Sequence, residues 1–501
     1  MTTERLEPMS TTTTEIDQID RRSWLALYLL CSGMLMIVLD ATIVNVALPA
    51  IQDDLGFTQS SLAWVVNSYL IAFGGLLLLS GRLGDLIGRR TMFVSGLMAF
   101  TVASVLCGLA QDQTTLVVAR FLQGAGGAMT SAVILGMIFT MFPDPRRQAK
   151  AIGVYAFVAS AGGAVGLLAG GVLTEVLNWH WIFFINVPIG IAVAVGATQF
   201  IERDSGIGIR QGADVLGAVL ITSSLMLSVY TIVEPAARHG WGSSRTQVLG
   251  AVAVALLVGF VVREHTARTP LMPLRIFRSR NLSGANAIQV LSVAGMFGMF
   301  FMGTLYLERV LGYGPLQIGL AFLPVTVIMG TLSVRYSDRL AERFGPVRML
   351  VSGLVLIFVA LLYFTQAPVD GSYVQHVLPV MTLMGAGAGM AFPVLMNLAM
   401  SGAAPEDAGL ASGLVSATAQ VGGAIGLAAL ATVATGRTEA LMRTGDAAQA
   451  MTGGFHLAFW VAAGLVLAAI VAAAVIMKVD VESPDVEAVD QEAAELEPAF
   501  A

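Results

Sequence analysis

The chain has 501 residues, of which 56% are hydrophobic and only 12% charged, with a mean hydropathy of +0.78. A soluble domain carries about 25% charged residues, so soluble enzymes and nucleic-acid-binding proteins are excluded and an integral membrane protein is expected. The net charge of −6 says little about partners, because the stretch after Lys478 holds eight acids and no base.

In chain order, residues 1–21 open on the Thr-rich MTTERLEPMSTTTTE and read as a disordered start. The first apolar run begins at Trp24 and is too long for a signal-peptide core. A membrane-spanning helix needs about 20 mostly apolar residues. Such runs lie near 23–49, 58–80, 90–110, 114–138, 149–173, 181–201, 213–233 and 246–263. They continue near 281–307, 316–334, 347–365, 373–400, 408–432 and 455–477, fourteen in all, before an acidic tail at 478–501 that reads as disordered. With the N-terminus inside, 21 of the 27 basic residues fall in cytoplasmic segments and five in outer ones. Arg120 alone lies within a span. This asymmetry predicts that both termini are cytoplasmic.

The first span carries one carboxylate, Asp40, in VLDATIVNVALP. An acid placed there costs on the order of 3 kcal/mol or more and marks function by default. Counted from the expected outer helix ends, Asp40 and Arg120 reach similar depths at about 1.5 Å per residue. Arg120 cannot lose its proton whereas Asp40 can, so the pair is expected to act as a proton switch. At 100° per residue Asp40 shares a helix face with Ile37, Val44 and Ala47, so it is expected to stand in an apolar wall facing the ligand. Arg120, Gly124, Gly127 and Ser131 form a stripe on the fourth helix. Gly162, Gly166 and Gly170 form two GxxxG steps on the fifth, faces small enough for close and sliding helix contact. Asn67, Tyr69, Gln123, Gln289, Glu308 and Asn397 are polar groups in or at the ends of spans and are the candidates for lining a substrate path.

The loop GRLGDLIGRR (81–90) has an echo in VRYSDRLAERFGPVR (334–348), and AGGAVGLLAGG (161–171) in AQVGGAIGLAAL (419–430). Repetition at about 250 residues predicts two similar halves. The expected organisation is a six-helix bundle at 22–201, a linker at 202–280 with two extra spans, and a second six-helix bundle at 281–477. The fold class is all-α integral membrane.

LDATIVNVALP, GRLGDLIGRR, RFLQGAGGA (120–128), the glycine-rich fifth helix and WHWIFFINVPIG (179–190) occur in this order on successive spans. Together they make the chain resemble the major facilitator superfamily, and within it the fourteen-span drug:proton antiporters. The resemblance covers nearly all of 22–477. It implies two rocking halves around a central cavity in a bacterial cytoplasmic membrane. Amphipathic drugs or antibiotics would leave in exchange for protons, or alternatively an endogenous lipid or secondary metabolite in self-resistance. It further implies a gate at Gly81, Gly84, Asp85, Gly88 and Arg89, with Asp85 and Arg89 latching the cytoplasmic side, and an antiporter packing motif at Gly162, Gly166, Gly170 and Gly171. The usual Gly-Pro of that motif is Gly166-Leu167 here, which puts the expected kink in doubt.

The partners expected are an amphipathic small molecule, protons and the lipid bilayer, with no nucleic acid, no cofactor beyond the proton gradient, and a monomeric chain. A nucleotide-driven pump needs GxxxxGK[ST], yet neither Lys150 nor Lys478 follows a glycine. Cys31 and Cys107 lack CxxC spacing, and the five histidines are scattered over loops and helix ends, so neither a metal site nor an intramembrane enzyme is expected. His456 reads as an interfacial side chain rather than a proton relay, and Glu308 as a solvated helix-end residue beside Arg309.

Overall fold

In a computed structural model of the chain, the described residues are 10–477 without 209, 211, 237–238, 402–407 and 443–445. The expected acidic tail, and residues 1–9 of the expected disordered start, lie outside them. Helix α1 spans Ser10–Leu55, so residues 10–21 are helical where a disordered start was expected. It is followed by α2 (Gln59–Ile87), α3 (Arg89–Gly108), α4 (Gln113–Met141), α5 (Pro145–Val176) and α6 (Trp181–Phe200). The extra pair is α7 (Val215–Ala236) and α8 (Ser244–Thr266). Then come α9 (Arg280–Arg309), α10 (Pro315–Thr331), α11 (Pro346–Phe364), α12 (Tyr373–Met400), α13 (Ala408–Met442) and α14 (Ala447–Ile476). Twelve helices among the described residues are long and apolar enough to cross a membrane; Ala161–Val176 of α5 and Pro315–Thr331 are shorter apolar helices.

Short polar side chains start the helices by accepting the free amides of the first turn. Thr58 caps α2 through the Ser61 amide, Asp112 caps α4 through that of Thr115, and Asp144 caps α5 just before Pro145. The α2–α3 joint is a single residue, Gly88, at φ +97°, and Gly345 before α11 takes the same conformation at φ +86°. Both need the left-handed backbone that glycine adopts without strain, and the sequence echo is thus an echo of geometry. Helix α6 breaks at Ile185 into Trp181–Phe184 and Asn186–Phe200. Pro188 contributes to the break because it cannot donate to the Phe184 carbonyl.

Helices α1–α6 pack on one another, α1 on α5 and α4 on both α2 and α3, while α9 packs on α13 and α14 and α11 on α12 and α14. The halves meet along α2–α13 and α5–α10. Helix α7 lies against α2 and α13, with Thr432 donating to the Ile232 carbonyl. Helix α8 is peripheral: 17% of its apolar window is buried against 83% for α2. Between α2, α4 and this pair runs a trench of about 680 Å³ lined by Trp64, Val118, Met226 and Tyr230 among others.

Candidate functional site

Asp40 and Arg120 are both completely buried and form an ion pair, Arg120 Nη1 to Asp40 Oδ2 at 2.6 Å. The equal depth expected from sequence is met, although α1 continues past Pro49 to Leu55. The glycines of α4 make the meeting possible. A Cβ at Gly124 would run into the Tyr69 carbonyl of α2, and one at Gly126 would lie 2.8 Å from the Phe100 Cα of α3. Pressed against both neighbours, α4 delivers Arg120 and, one turn on, Gln123 into the bundle interior.

Asp40 stands in a polar network rather than the apolar wall expected from its own helix face. Its Oδ1 accepts from Gln123 Nε2 at 2.7 Å and from Asn186 Nδ2 at 3.1 Å. Both amides also donate to Ser104 Oγ, at 2.6 and 3.0 Å. Arg120 Nη1 donates further to Gln123 Oε1 at 2.7 Å, and its Nε donates to the Val65 carbonyl at 3.0 Å. The guanidinium carbon lies 4.4 Å from the Tyr69 ring centroid and 5.7 Å from that of Phe183, so both aromatic faces add cation–π attraction. Five helices of one half, α1, α2, α3, α4 and α6, converge on this one carboxylate. Charge pairing and three N–H donors offset the desolvation of a buried ion, which only such geometry can do.

Of the predicted path residues, Tyr69 and Gln123 join this cluster. Asn67 is fully buried on α2 with neither amide atom hydrogen-bonded. Gln289 is half-buried on α9, Asn397 is exposed on α12, and Glu308 lies at the end of α9 with Oε2 3.5 Å from Arg309 Nε. None of these four bonds to the cluster. His456 Nε2 lies 2.8 Å from the Ala367 carbonyl, away from the carboxylate. Ser104 and Asn186 were missed from sequence. Asn186 sits inside the WHWIFFINVPIG motif, and its place at the α6 break was the available signal.

The glycines of α5 divide their work. Gly162, Gly166 and Gly170 face Val38, Leu39 and Ile43 of α1, where a Cβ at Gly166 would lie 2.9 Å from the Leu39 carbonyl. This stripe therefore packs within one half and is not the sliding face expected of it. Gly171 does cross to the other half: a Cβ there would lie 2.7 Å from the Leu316 Cα of α10. Glu175 accepts from the Leu316 amide at 3.0 Å, and Arg309 pairs with Asp53, so the halves are tied at the Leu55 end of α1. Helix α5 has no internal proline and runs unbroken through Leu167.

At the opposite end, Asp85 and Arg89 form an i,i+4 pair at 3.2 Å. Arg89 also donates to the Gly136 carbonyl at 3.0 Å and the Thr140 hydroxyl at 3.1 Å on α4. Gly84 packs closely on Val133 and Gly81 loosely on Ala132. Gly88 brings no side chain to cap α3. Asp204, arriving from the linker, accepts from the amides of Arg89 and Arg90 at 2.6 and 3.1 Å instead. These bonds tie the loop to α4 of its own half and to the linker.

Solved structures share the fold. The chain superposes on a bacterial homologue of the human lysosomal transporter Spinster, inward-facing and unoccupied, with TM-score 0.65 and 14% identity over 91% of this chain and 97% of that one. The POT family transporter PepTSo gives TM-score 0.65 at 14% identity, covering 90% and 97%. Sequence relatives are nearer. A puromycin resistance protein of Streptomyces alboniger is 37% identical over 89% of this chain and 90% of its own length. The cephamycin export protein of Amycolatopsis lactamdurans is 37% identical over 81% and 84%, and the tetracenomycin C resistance and export protein of Streptomyces glaucescens 35% over 85% and 78%. The Major Facilitator Superfamily model matches residues 30–427, and the chain, a multi-pass membrane transporter rather than an enzyme, belongs to that superfamily.

Proposed function

We propose that this protein exports amphipathic antibiotics or related metabolites in exchange for protons, by alternating access between its two halves. The observation that carries the reading is the buried Asp40–Arg120 pair, the one place in the two halves where a titratable charge is sealed away from water among the described residues. Relatives named for resistance to or export of puromycin, cephamycin and tetracenomycin support the substrate class. Their antibiotic names also favour self-resistance as the biological setting. The arginine asymmetry supports a cytoplasmic Gly88 end, which would make the Asp53–Arg309 tie a closure of the outer side.

The network supplies a reason for coupling. Protonating Asp40 removes the anion that holds Arg120 and turns an acceptor oxygen into a donor. Arg120 has donors only and cannot accept the new proton. Gln123 cannot turn to accept it either, because its Oε1 already faces the guanidinium and its NH₂ would then do so. Protonation leaves the buried Arg120 without its anion in the present packing, and movement of α1 against α4 is the step proposed to change the side of access. Reconstituted protein given an inside-acid gradient should accumulate puromycin or a tetracenomycin against its concentration gradient, protons leaving as drug enters. Uptake indifferent to the gradient would sink the exchange mechanism. Unchanged resistance to all such compounds on deletion and overexpression in the native host would sink the substrate class.

A further inference from the structure

Asn186 has an unusual pair of surroundings for a fully buried amide. Its Nδ2 makes two hydrogen bonds, while its Oδ1 makes none. A buried amide oxygen without a partner costs about as much as a hydrogen bond, so a packed interior rarely keeps one. The orientation is nonetheless forced, since Asp40 Oδ1 as an anion needs a donor there.

We infer that Asn186 is the turning amide of the proton switch, donating to Asp40 when it is ionised and accepting from it when it is protonated. This rests on the reading of Asp40 as the proton carrier. The proton comes from water on the acid side and is later released to water on the other, and only an O–H bond forms and breaks. Oδ2 faces Arg120, so the proton resides on Oδ1, which faces two amides. Gln123 is locked by Arg120. Asn186 touches no cation, and a half-turn of its side-chain amide presents Oδ1 to the carboxyl hydrogen. Ser104, which accepts from Asn186 now, can rotate its hydroxyl and donate to the turned oxygen. The turn exchanges an unpaired oxygen for an unpaired NH₂, so neither orientation is strongly preferred by the rest of the site. The proton decides between them.

The charged and titratable groups acting on Asp40 are Arg120 from α4, Tyr69 from α2 and Cys107 from α3. A phenol and a thiol keep their own protons near neutrality and Arg120 is permanently charged, so none competes for the proton. Asn186 is a positioning residue that acts through Asp40.

The test is infrared difference spectroscopy of the reconstituted full chain titrated with acid, with transport measured on the same preparation. Wild type should show a protonated-carboxyl C=O band that Asp40→Asn abolishes. In Asn186→Leu, which keeps the branched shape but not the polar atoms, that band should move to higher wavenumber as the O–H loses its acceptor, and gradient-driven uptake should fall about tenfold, the worth of one buried hydrogen bond. Asn186→Gln, which keeps the amide, should restore part of both. A band that persists in Asp40→Asn refutes Asp40 as carrier. A band lost in Asp40→Asn but unmoved in Asn186→Leu refutes the turning amide alone.

Discussion

Replacing Asp40 by Asn tests the site most directly, because it removes one charge at almost constant volume. Arg120 would then be a fully buried cation with no anion within reach. Breaking one side of a buried pair costs about 3–5 kcal/mol. The new Asn must also set its NH₂ against Arg120 Nη1 or against Gln123, both held as donors, so only a turned Asn186 could accept from it. Pairing it with Arg120→Gln removes the orphaned cation, so the double variant should recover most of the lost stability. Stability would be read from unfolding of nanodisc-held protein, and transport from inside-acid-driven drug accumulation in proteoliposomes. Stability should follow the cycle: low in each single variant, near wild type in the double. Uphill transport should be absent in Asp40→Asn and in the double, because neither holds a group that titrates there. Asp40→Glu keeps that group at an overpacking cost of about 1–3 kcal/mol and should retain part of the activity. If Asp40→Asn loses less than about 1 kcal/mol or still concentrates drug at the wild-type rate, the carboxylate is only a packing residue and the reasoning fails.

The loop at the Gly88 end separates a stabilising acid from a functional one. Asp204→Ala should cost about 1 kcal/mol of stability, the worth of a helix cap, and loosen the 201–212 segment to proteolysis while transport falls only modestly. Asp85→Asn breaks a half-exposed i,i+4 pair worth about 0.3–0.5 kcal/mol, so it should leave folding intact yet slow turnover in proteoliposomes. A wild-type rate would reduce Asp85 to a topology signal.

The spans, the paired halves and the Asp40–Arg120 pair were legible because each is written in strong local terms: runs of apolar residues, a glycine joint used twice, one acid and one base where charge is expensive. What surrounds Asp40 was not. A helical wheel reports only neighbours on the same helix, while the donors come from α4 and α6, the nearer of them 80 residues further on. Asn186 was overlooked because an amide in a span costs far less than a charge and so raises no alarm. The spacing of Gly162, Gly166 and Gly170 fixed a face but not its partner, which proved to be α1. Asp204 was not singled out, since no local pattern ties it to helix α3 more than 110 residues earlier. The Asp53–Arg309 tie spans 256 residues and has no sequence signature at all.

The two halves repeat the backbone but not the chemistry. Gly88 and Gly345 share a conformation. Among the described residues of α9–α14, however, no charged side chain is buried, and the nearest polar counterpart is Asn286 accepting from Thr418 at 2.7 Å. A bond of that kind holds helices together but has no second protonation state near neutral pH. A proton bound at Asp40 would therefore change the energy of one half, and the other would respond through the faces they share. Those faces are the tight α5–α10 and α2–α13 contacts and the ion pair at Asp53. Helix α1 bears both Asp40 and Asp53 on one unbroken helix, so a displacement at the carboxylate would reach the Asp53–Arg309 tie without passing through a loop.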